Sequence, residues 1–389
     1  MNLTELHHAF TERFGRPPEL VVRAPGRVNL LGEHVDYNDG LVLPAAIDRA
    51  VYIAAAPSGS ACSRLHALDL GKQVDLRLEA LEDRQDADGR PLPGWARYPA
   101  GVAWVLGQEG LQPAGILAAY TSNIPIGSGL SSSAAVEVGF ATLWQALGGW
   151  PLERLALAQL CQRAENRYVG VSCGLMDQFA SACGVREHAL YFDTRSLEWE
   201  PAPIPSDIAL VIADSGVRRS LAHSGYNERR QACEQAVREL QVYLPGIRSL
   251  RDVATTELAA YAPFLSEIPR KRAEHVVKEI ARVGSALSAL QRGDRQAFGA
   301  LMYAGHNSLK NLYEVSTAEI DTLVELTRHI PGCIGARLTG AGFGGCTINL
   351  VEVEQAEAFI AGLREGYRQA SGRTAQVYLC RASQGAEIL

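Results

Sequence analysis

Pro125-Ile126-Gly127-Ser128-Gly129-Leu130-Ser131-Ser132-Ser133-Ala134-Ala135 follows an apolar, strand-like run at 116–121 and leads into a helix-like one. In that second run Val136, Phe140, Leu143, Trp144 and Leu147 recur at steps of three and four, the pattern of one apolar helix face, and Gly148-Gly149 stops it. A strand, a glycine-serine turn and a helix in this order suit an anion. Glycines let the backbone approach a ligand, and the first N–H groups of a helix have no partner within it. The serine hydroxyls add donors and one candidate metal ligand. A serine-capped helix start without a ligand is the alternative, but two glycines and a run of three serines exceed what capping needs. No Gly-Lys-Ser or Gly-Lys-Thr follows, Gly71-Lys72-Gln73 does not fit either, and His-Arg-Asp and Asp-Phe-Gly are missing. Any nucleotide chemistry therefore needs a scaffold other than the P-loop or protein-kinase ones.

Outward from this turn, helix-like and strand-like stretches are mixed. Helices are expected over 3–14, 152–168, 226–241 and 270–292, strands over 41–43, 50–54, 209–213, 346–353 and 374–379, and an exposed loop over 85–93. Such mixing predicts an α+β layered architecture. A length of 389 residues is about right for two domains, and the polar segment 195–205 is the expected boundary, giving domains 1–195 and 196–389. With 47% hydrophobic and 21% charged residues the chain is globular, and a net charge of −6 with dispersed basic residues argues against nucleic acid or membrane as the main partner. Eight cysteines without a Cys-x-x-Cys pattern read as reduced, packed thiols. The N-terminus has no basic region followed by an apolar run, and no stretch of about 18 apolar residues occurs. The expectation is a cytoplasmic protein, with a monomer favoured.

Three further segments carry chemistry. Ala24-Pro25-Gly26-Arg27-Val28-Asn29-Leu30-Leu31-Gly32-Glu33-His34-Val35-Asp36-Tyr37-Asn38-Asp39-Gly40 packs carboxylates, an imidazole and a guanidinium into one turn. Carboxylates accept from several hydroxyls, which suits a polyhydroxylated ligand; a charged surface turn is the alternative, against which Val28, Leu30 and Leu31 predict attachment to a core. In Leu338-Thr339-Gly340-Ala341-Gly342-Phe343-Gly344-Gly345-Cys346, three glycines spell the dinucleotide fingerprint, but a strand at 347–351 stands where that motif needs a helix. The expected role is a turn closing one wall of a site. In Cys173-Gly174-Leu175-Met176-Asp177-Gln178-Phe179, Asp177 keeps apolar company, costly for a carboxylate without partners. A helix-start aspartate is the alternative. Glu165 by itself reads as an ordinary solvated helix residue.

Taken together and in this order, the glycine-bearing segments resemble the GHMP superfamily of small-molecule kinases, and Gly26 to Gly40 is similar to the galactokinase signature through its Asp36-Tyr37-Asn38-Asp39 continuation. The resemblance runs from about residue 10 to 385 and includes Gly94-Trp95-Ala96-Arg97-Tyr98, Ala164-Glu165-Asn166 and Arg218 to Arg230. It implies an N-terminal domain like ribosomal protein S5, a ferredoxin-like C-terminal domain and a site in the cleft between them. It also implies ATP and Mg²⁺ as cofactors and galactose, phosphorylated on its anomeric hydroxyl, as substrate. By the same resemblance Gly127, Ser128, Gly129, Leu130, Ser131, Ser132 and Ser133 wrap the phosphates, and Ser133 and Glu165 hold Mg²⁺. Asp177 is the catalytic carboxylate, with Arg27 as its cationic partner. Glu33, His34, Val35, Asp36, Gly174 and Tyr226 contact the sugar, and Trp95 and Tyr98 wall the adenine pocket. Val35 stands where the family more often has threonine. Two alternatives remain at this point: a non-catalytic sugar sensor on the same fold, and a kinase for N-acetylgalactosamine or mevalonate. The intact Asp177, Arg27 and Ser131–Ala135 run argues against the sensor.

Overall fold

The computed structural model describes residues 2–218 and 222–389, so 219–221, within the stretch Arg218 to Arg230, lie outside the described residues. Leu20–Asn29 pairs antiparallel with Pro44–Pro57, which pairs antiparallel with Ile116–Ser122. Cys62–Ala67, parallel to Ile116–Ser122, and then Lys72–Arg77 extend this sheet on one side. On the other, Glu387–Ile388 from the end of the chain closes a six-stranded sheet. Ala50, Val51, Ile53, Ala54, Ala55 and Ala56 are all buried because both faces are covered, which is why this strand reads as a continuous apolar run. One face takes Leu6 and Phe10 of helix Leu3–Phe14. That helix begins with reciprocal bonds between Asn2 and Glu5 and ends at Gly15 in the left-handed region. The other face takes helix Ser132–Gly148, where Gly139 allows close approach: a Cβ there would lie 2.8 Å from Ile53 Cδ1.

The second sheet is four-stranded, antiparallel, in the order Cys333–Thr339, Cys346–Glu352, Ile208–Asp214, Gln376–Cys380. With helix Ala356–Ser371 before its last strand, it follows the β-α-β-β-α-β succession of ferredoxin-like folds. Helices Ala222–Leu240, Glu267–Gln291, Arg295–Ser308 and Ala318–Thr327 are inserted after the first strand. A small third sheet joins Leu41–Val42, His188–Asp193 and Trp199–Pro203, so the polar stretch 195–205 contains an edge strand. All eight cysteines are free thiols, five of them buried as packed side chains. Among the described residues no helix is long and apolar enough to cross a membrane.

Two departures from regular structure bear on the site. The strand Leu20–Asn29 shifts register between Pro25 and Arg27, a bulge that re-aims Arg27. A Cβ at Gly26 would lie 2.6 Å from Leu130 O, so only glycine fits beside the glycine-serine turn. The helix expected over 152–168 is α-helical over Arg154–Ala164 and then opens into a π turn, Glu165–Val169.

The first half of the chain meets the second at a buried ion pair of the second half, through Gly32. Glu279 of the long helix and Arg337 of the second sheet are both fully buried, with Nη1 and Oε1 2.7 Å apart. The same oxygen accepts from Gly32 N at 2.9 Å, while Arg282 holds Oε2 at 2.7 Å. Burial opposes ionisation of Glu279, yet Arg337 and Arg282 hold its carboxyl well below the usual carboxylate range. Beside it, Thr339 Oγ1 accepts from Asn29 N at 2.9 Å, and His275 Nε2 lies 3.1 Å from Glu33 O. Removing Arg337 leaves the buried Glu279 carboxylate with Arg282 as its one remaining cation. Arg337→Met should therefore cost about 3–5 kcal/mol in urea unfolding, and adding Glu279→Leu should recover part of it. A loss below about 1 kcal/mol, the size expected of a surface pair, would deny this role.

Candidate active site

A cavity of about 360 Å³ opens between the two sheets. Its walls bring together Arg27, Glu33, His34 and Asp36, the turn at Gly127, Gly129 and Ser131 to Ser133, then Tyr98, Glu165, Cys173, Gly174, Asp177, Tyr226, Gly340 and Ala341. Residues far apart in the chain thus converge on one space.

The glycine-serine turn is left-handed at Gly127 and Gly129, with φ 70° and 84°. Ser131 also lies there, at φ 57°, a strained place for a residue with a side chain. It stands at the N-cap of Ser132–Gly148, but its hydroxyl donates to Asp177 Oδ2 at 2.5 Å instead of capping the helix. The opening of the helix has no side-chain cap and faces the cavity. Two of the seven expected phosphate-wrapping residues do not line it: Ser128 is buried with Oγ bonded to Pro125 O at 2.7 Å, and Leu130 points into the core. They shape the turn, Leu130 through its carbonyl, which accepts from Arg27 N.

Asp177, in the first turn of helix Met176–Cys183, takes Arg27 Nε at 2.8 Å and Nη2 at 2.9 Å, a two-bond guanidinium–carboxylate contact. Arg27 Nη1 reaches Gly129 O at 2.6 Å. The arginine is 4% exposed and the Asp177 side chain 30%, so the cation is sealed behind a carboxylate that faces the cavity.

Glu33 Oε1 accepts from Gly340 N at 2.6 Å. Burial raises its pKa, against the pull of Arg337 and Arg27. Asp36 is pushed up to about 7, first by burial and then by the charges of Asp177 and Glu33. Gly174 is glycine for a steric reason: a Cβ would fall 2.0 Å from Asp36 Oδ2. Tyr226 lies over the same loop, 5.2 Å from the Tyr37 ring and 5.5 Å from the His34 ring. Val35 departs from expectation. Its side chain is fully buried and does not line the cavity, and a Cβ at Gly40 would meet Val35 Cβ at 2.7 Å. A methyl in place of a hydroxyl there faces the core. Of the expected adenine-pocket pair, Tyr98 lines the cavity, whereas Trp95 packs 6.2 Å from Tyr120 and does not.

Glu165 is buried, not solvated: it continues the buried stripe of Leu157 and Cys161 at steps of four, at the start of the π turn. Gln178 Nε2 donates to Glu165 Oε2 at 2.6 Å and to Glu137 Oε2 at 3.0 Å. Burial, then Asp177's charge, pushes the Glu165 carboxyl up; burial and Glu165 do the same to Glu137. The sequence reading missed Glu137 and Gln178. Glu137 lies on one helical stripe with Phe140 and Trp144, a signal that marks a buried carboxyl. It missed Glu279 and Arg337 as well, although Arg337 interrupts the apolar strand around Ala336 and Leu338. Among the described residues no three His, Cys, Asp or Glu groups gather as a metal cage. A Glu165 carboxylate and a Ser133 hydroxyl on one cavity fit an ion that takes few protein oxygens and completes its shell with phosphate and water. The accumulation of carboxylates with raised pKa values fits a cation there too.

Comparison with known proteins agrees with this arrangement. The galactokinase galactose-binding signature matches residues 8–57, the GHMP kinases N terminal domain residues 97–185 and the GHMP kinases C terminal domain residues 286–369. The chain is 46% identical over 381 residues to a galactokinase of Roseiflexus sp. (strain RS-1), covering 98% of this chain and 96% of that protein. It is 43% identical over 389 residues to the Homo sapiens galactokinase, covering 100% and 96%. The crystal structure of Lactococcus lactis galactokinase complexed with galactose matches the whole of both chains at a TM-score of 0.94 and 34% identity. A mevalonate kinase, at a TM-score of 0.63 and 20% identity over 93% of this chain and 99% of that one, shares the fold alone. The signature over the loop of Glu33, His34 and Asp36, the two GHMP domains and full-length identity above 40% make this chain a member of the galactokinase family of GHMP kinases.

Proposed function

We propose that the protein transfers the γ-phosphate of ATP to the anomeric (C1) hydroxyl of galactose, giving galactose 1-phosphate and ADP. One observation carries this: the sealed Arg27 holds Asp177 by two bonds in a cavity with Glu33 and Asp36 on one wall and the glycine-serine turn on another. Glu33 and Asp36 accept sugar hydroxyls, each carboxylate oxygen having lone pairs to spare. Gly174 keeps Asp36 in place, and Tyr226 covers the ring. The turn and the uncapped helix start take the phosphates. Asp177 accepts the proton of the C1 hydroxyl as its oxygen attacks the γ-phosphorus, and Arg27 offsets the charge of the moving phosphoryl group. Positioning and electrostatics supply most of the catalysis in such transfers. Held by Ser133 and Glu165, Mg²⁺ would offset charge on the ATP phosphates.

The same reading assigns residues 1–195 to the domain that carries the sugar and phosphate motifs and 196–389 to the one that closes the cleft. Supporting it, the four-stranded sheet comes wholly from residues after 207, and Tyr226, Gly340 and Ala341 from that half reach the cavity. Eight free thiols support a reducing compartment, the cytoplasm.

A coupled ADP assay across a panel of hexoses tests the reaction, with galactose expected as the preferred acceptor. Within that assay Asp177→Asn should lower kcat by at least about 10²-fold, the low end of general-base contributions, while galactose and ATP still bind. Retention of more than about a tenth of single-turnover rate would leave Asp177 only an orienting role. Glu165→Ala should lose activity at low Mg²⁺ and recover part of it at high Mg²⁺. Wild-type behaviour at low Mg²⁺ would refute the ligand assignment.

The Asp36 shift has a stability consequence in the substrate-free protein. Its carboxyl is raised from 3.8 to about 7, so between these values the folded state keeps a proton that the unfolded state has lost. Stability therefore drains as pH rises from about 4 to about 7 and stays lost above. Asp36→Asn should raise the urea midpoint at pH 8 more than at pH 5, at the expense of galactose binding. An equal change at both values would mean that the carboxylate is not held against its ionisation.

A further inference from the structure

Beneath the loop of Glu33 to Asp36 runs a chain of hydrogen bonds that the reaction above leaves unused. His34 Nε2 lies 3.1 Å from the Ala341 carbonyl oxygen, and Nδ1 lies 2.9 Å from the Tyr37 hydroxyl. That hydroxyl is 2.7 Å from Tyr313 OH, which is 3.2 Å from Cys233 Sγ. A carbonyl only accepts, so Nε2 carries a proton. A neutral ring then offers a lone pair at Nδ1, and Tyr37 must donate to it. Tyr313 donates to Tyr37 in turn, and the Cys233 thiol stands at the head of the chain. Four segments are joined this way: the loop, helix Ala222–Leu240, the turn Leu309–Tyr313 and the glycine-rich turn after Thr339. His34 itself sits at φ 61°, where a residue with a Cβ stays only if its surroundings hold it. Both ring nitrogens are thus engaged within the protein.

We propose that Tyr37 and Tyr313 are positioning residues for galactose: by holding Nδ1 they keep the His34 ring turned so that its Nε2–H stays on the Ala341 carbonyl, which clips the Glu33–Asp36 loop to the glycine-rich turn. The His34 ring is then the clip, not a donor or acceptor to the sugar. This inference rests on the galactose reading above. Tyr37→Phe keeps the ring and removes one hydroxyl. It should raise the galactose KM about three- to tenfold, the worth of one neutral hydrogen bond, and leave kcat and the ATP KM near wild type. Tyr313→Phe should shift the galactose KM the same way, and the double variant should be little worse than Tyr37→Phe, because the bonds act in series. The histidine ¹⁵N NMR spectrum reads the tautomer directly, with the His34 signals assigned by their loss in His34→Gln. Wild type should show a protonated Nε2 and a bare Nδ1 that accepts a hydrogen bond, and Tyr37→Phe the same tautomer with the Nδ1 signal moved to that of an acceptor without its donor. A wild-type ring protonated on Nδ1, an unchanged galactose KM in Tyr37→Phe, or equal losses for galactose and ATP would overturn the proposal. Wild-type protein that phosphorylates no galactose would instead sink the functional reading, and the ¹⁵N spectrum would still decide whether the clip exists.

Discussion

Glu279 and Arg337 meet in the dry interior, and the placement of the sugar loop depends on them. The Glu279 oxygen that Arg337 holds also accepts from Gly32 N, which fixes where the chain turns after Asn29, within reach of Glu33 and His34. An ion pair in such a place adds little net stability, because desolvating two charges offsets most of their attraction. Its value is geometric. A carboxylate with three fixed donors tolerates one arrangement of helix, strand and turn, and this arrangement aims Glu33 at Gly340. The neutral His275, pushed down to about 4 by burial, fits the same frame by bonding the Glu33 carbonyl without adding charge.

With the loop held, the cavity can keep groups that a folded protein would otherwise shed. Asp36, Glu33, Glu165 and Glu137 all have carboxyls raised by burial, and Arg27 is committed to Asp177. Such a surplus costs stability in the substrate-free state and is relieved by hydroxyl donors and cations. Backbone irregularities collect at the same place: the bulge before Arg27, the π turn at Glu165, and the left-handed Ser131 and His34. Several local rules are thus broken where the cavity is built, as expected where function sets the geometry and the surrounding core supports it.

Much of this was legible in the residues. The strand-turn-helix around Gly127 to Ser133 needs only short-range spacing to be seen, and so does the strand after Gly345 that excluded a dinucleotide fold. Asp177 stood out because a carboxylate among Leu175, Met176 and Phe179 calls for a partner, and Arg27 is that partner at 2.8 Å. The strand Leu20–Asn29 was harder to see, since Pro25 and Gly26 argue against a strand unless a bulge absorbs them. Glu165 looked solvated because helical periodicity places a residue on a face without saying what covers that face.

By itself the sequence determined the α+β elements, the turn chemistry and the identity of the reactive groups, because these follow from contacts a few residues apart and from the chemistry of single side chains. Only the tertiary structure decided which groups meet. Arg27 and Asp177 are 150 residues apart, and Arg337 and Glu279 are 58. The inward turn of Val35, the withdrawal of Trp95 from the cavity and the bridging of Glu137 and Glu165 by one amide belong to the same class. Side-chain periodicity carries no information about partners at that separation. Packing density and the need to satisfy every buried charge select them, and those constraints act only once the chain has closed on itself.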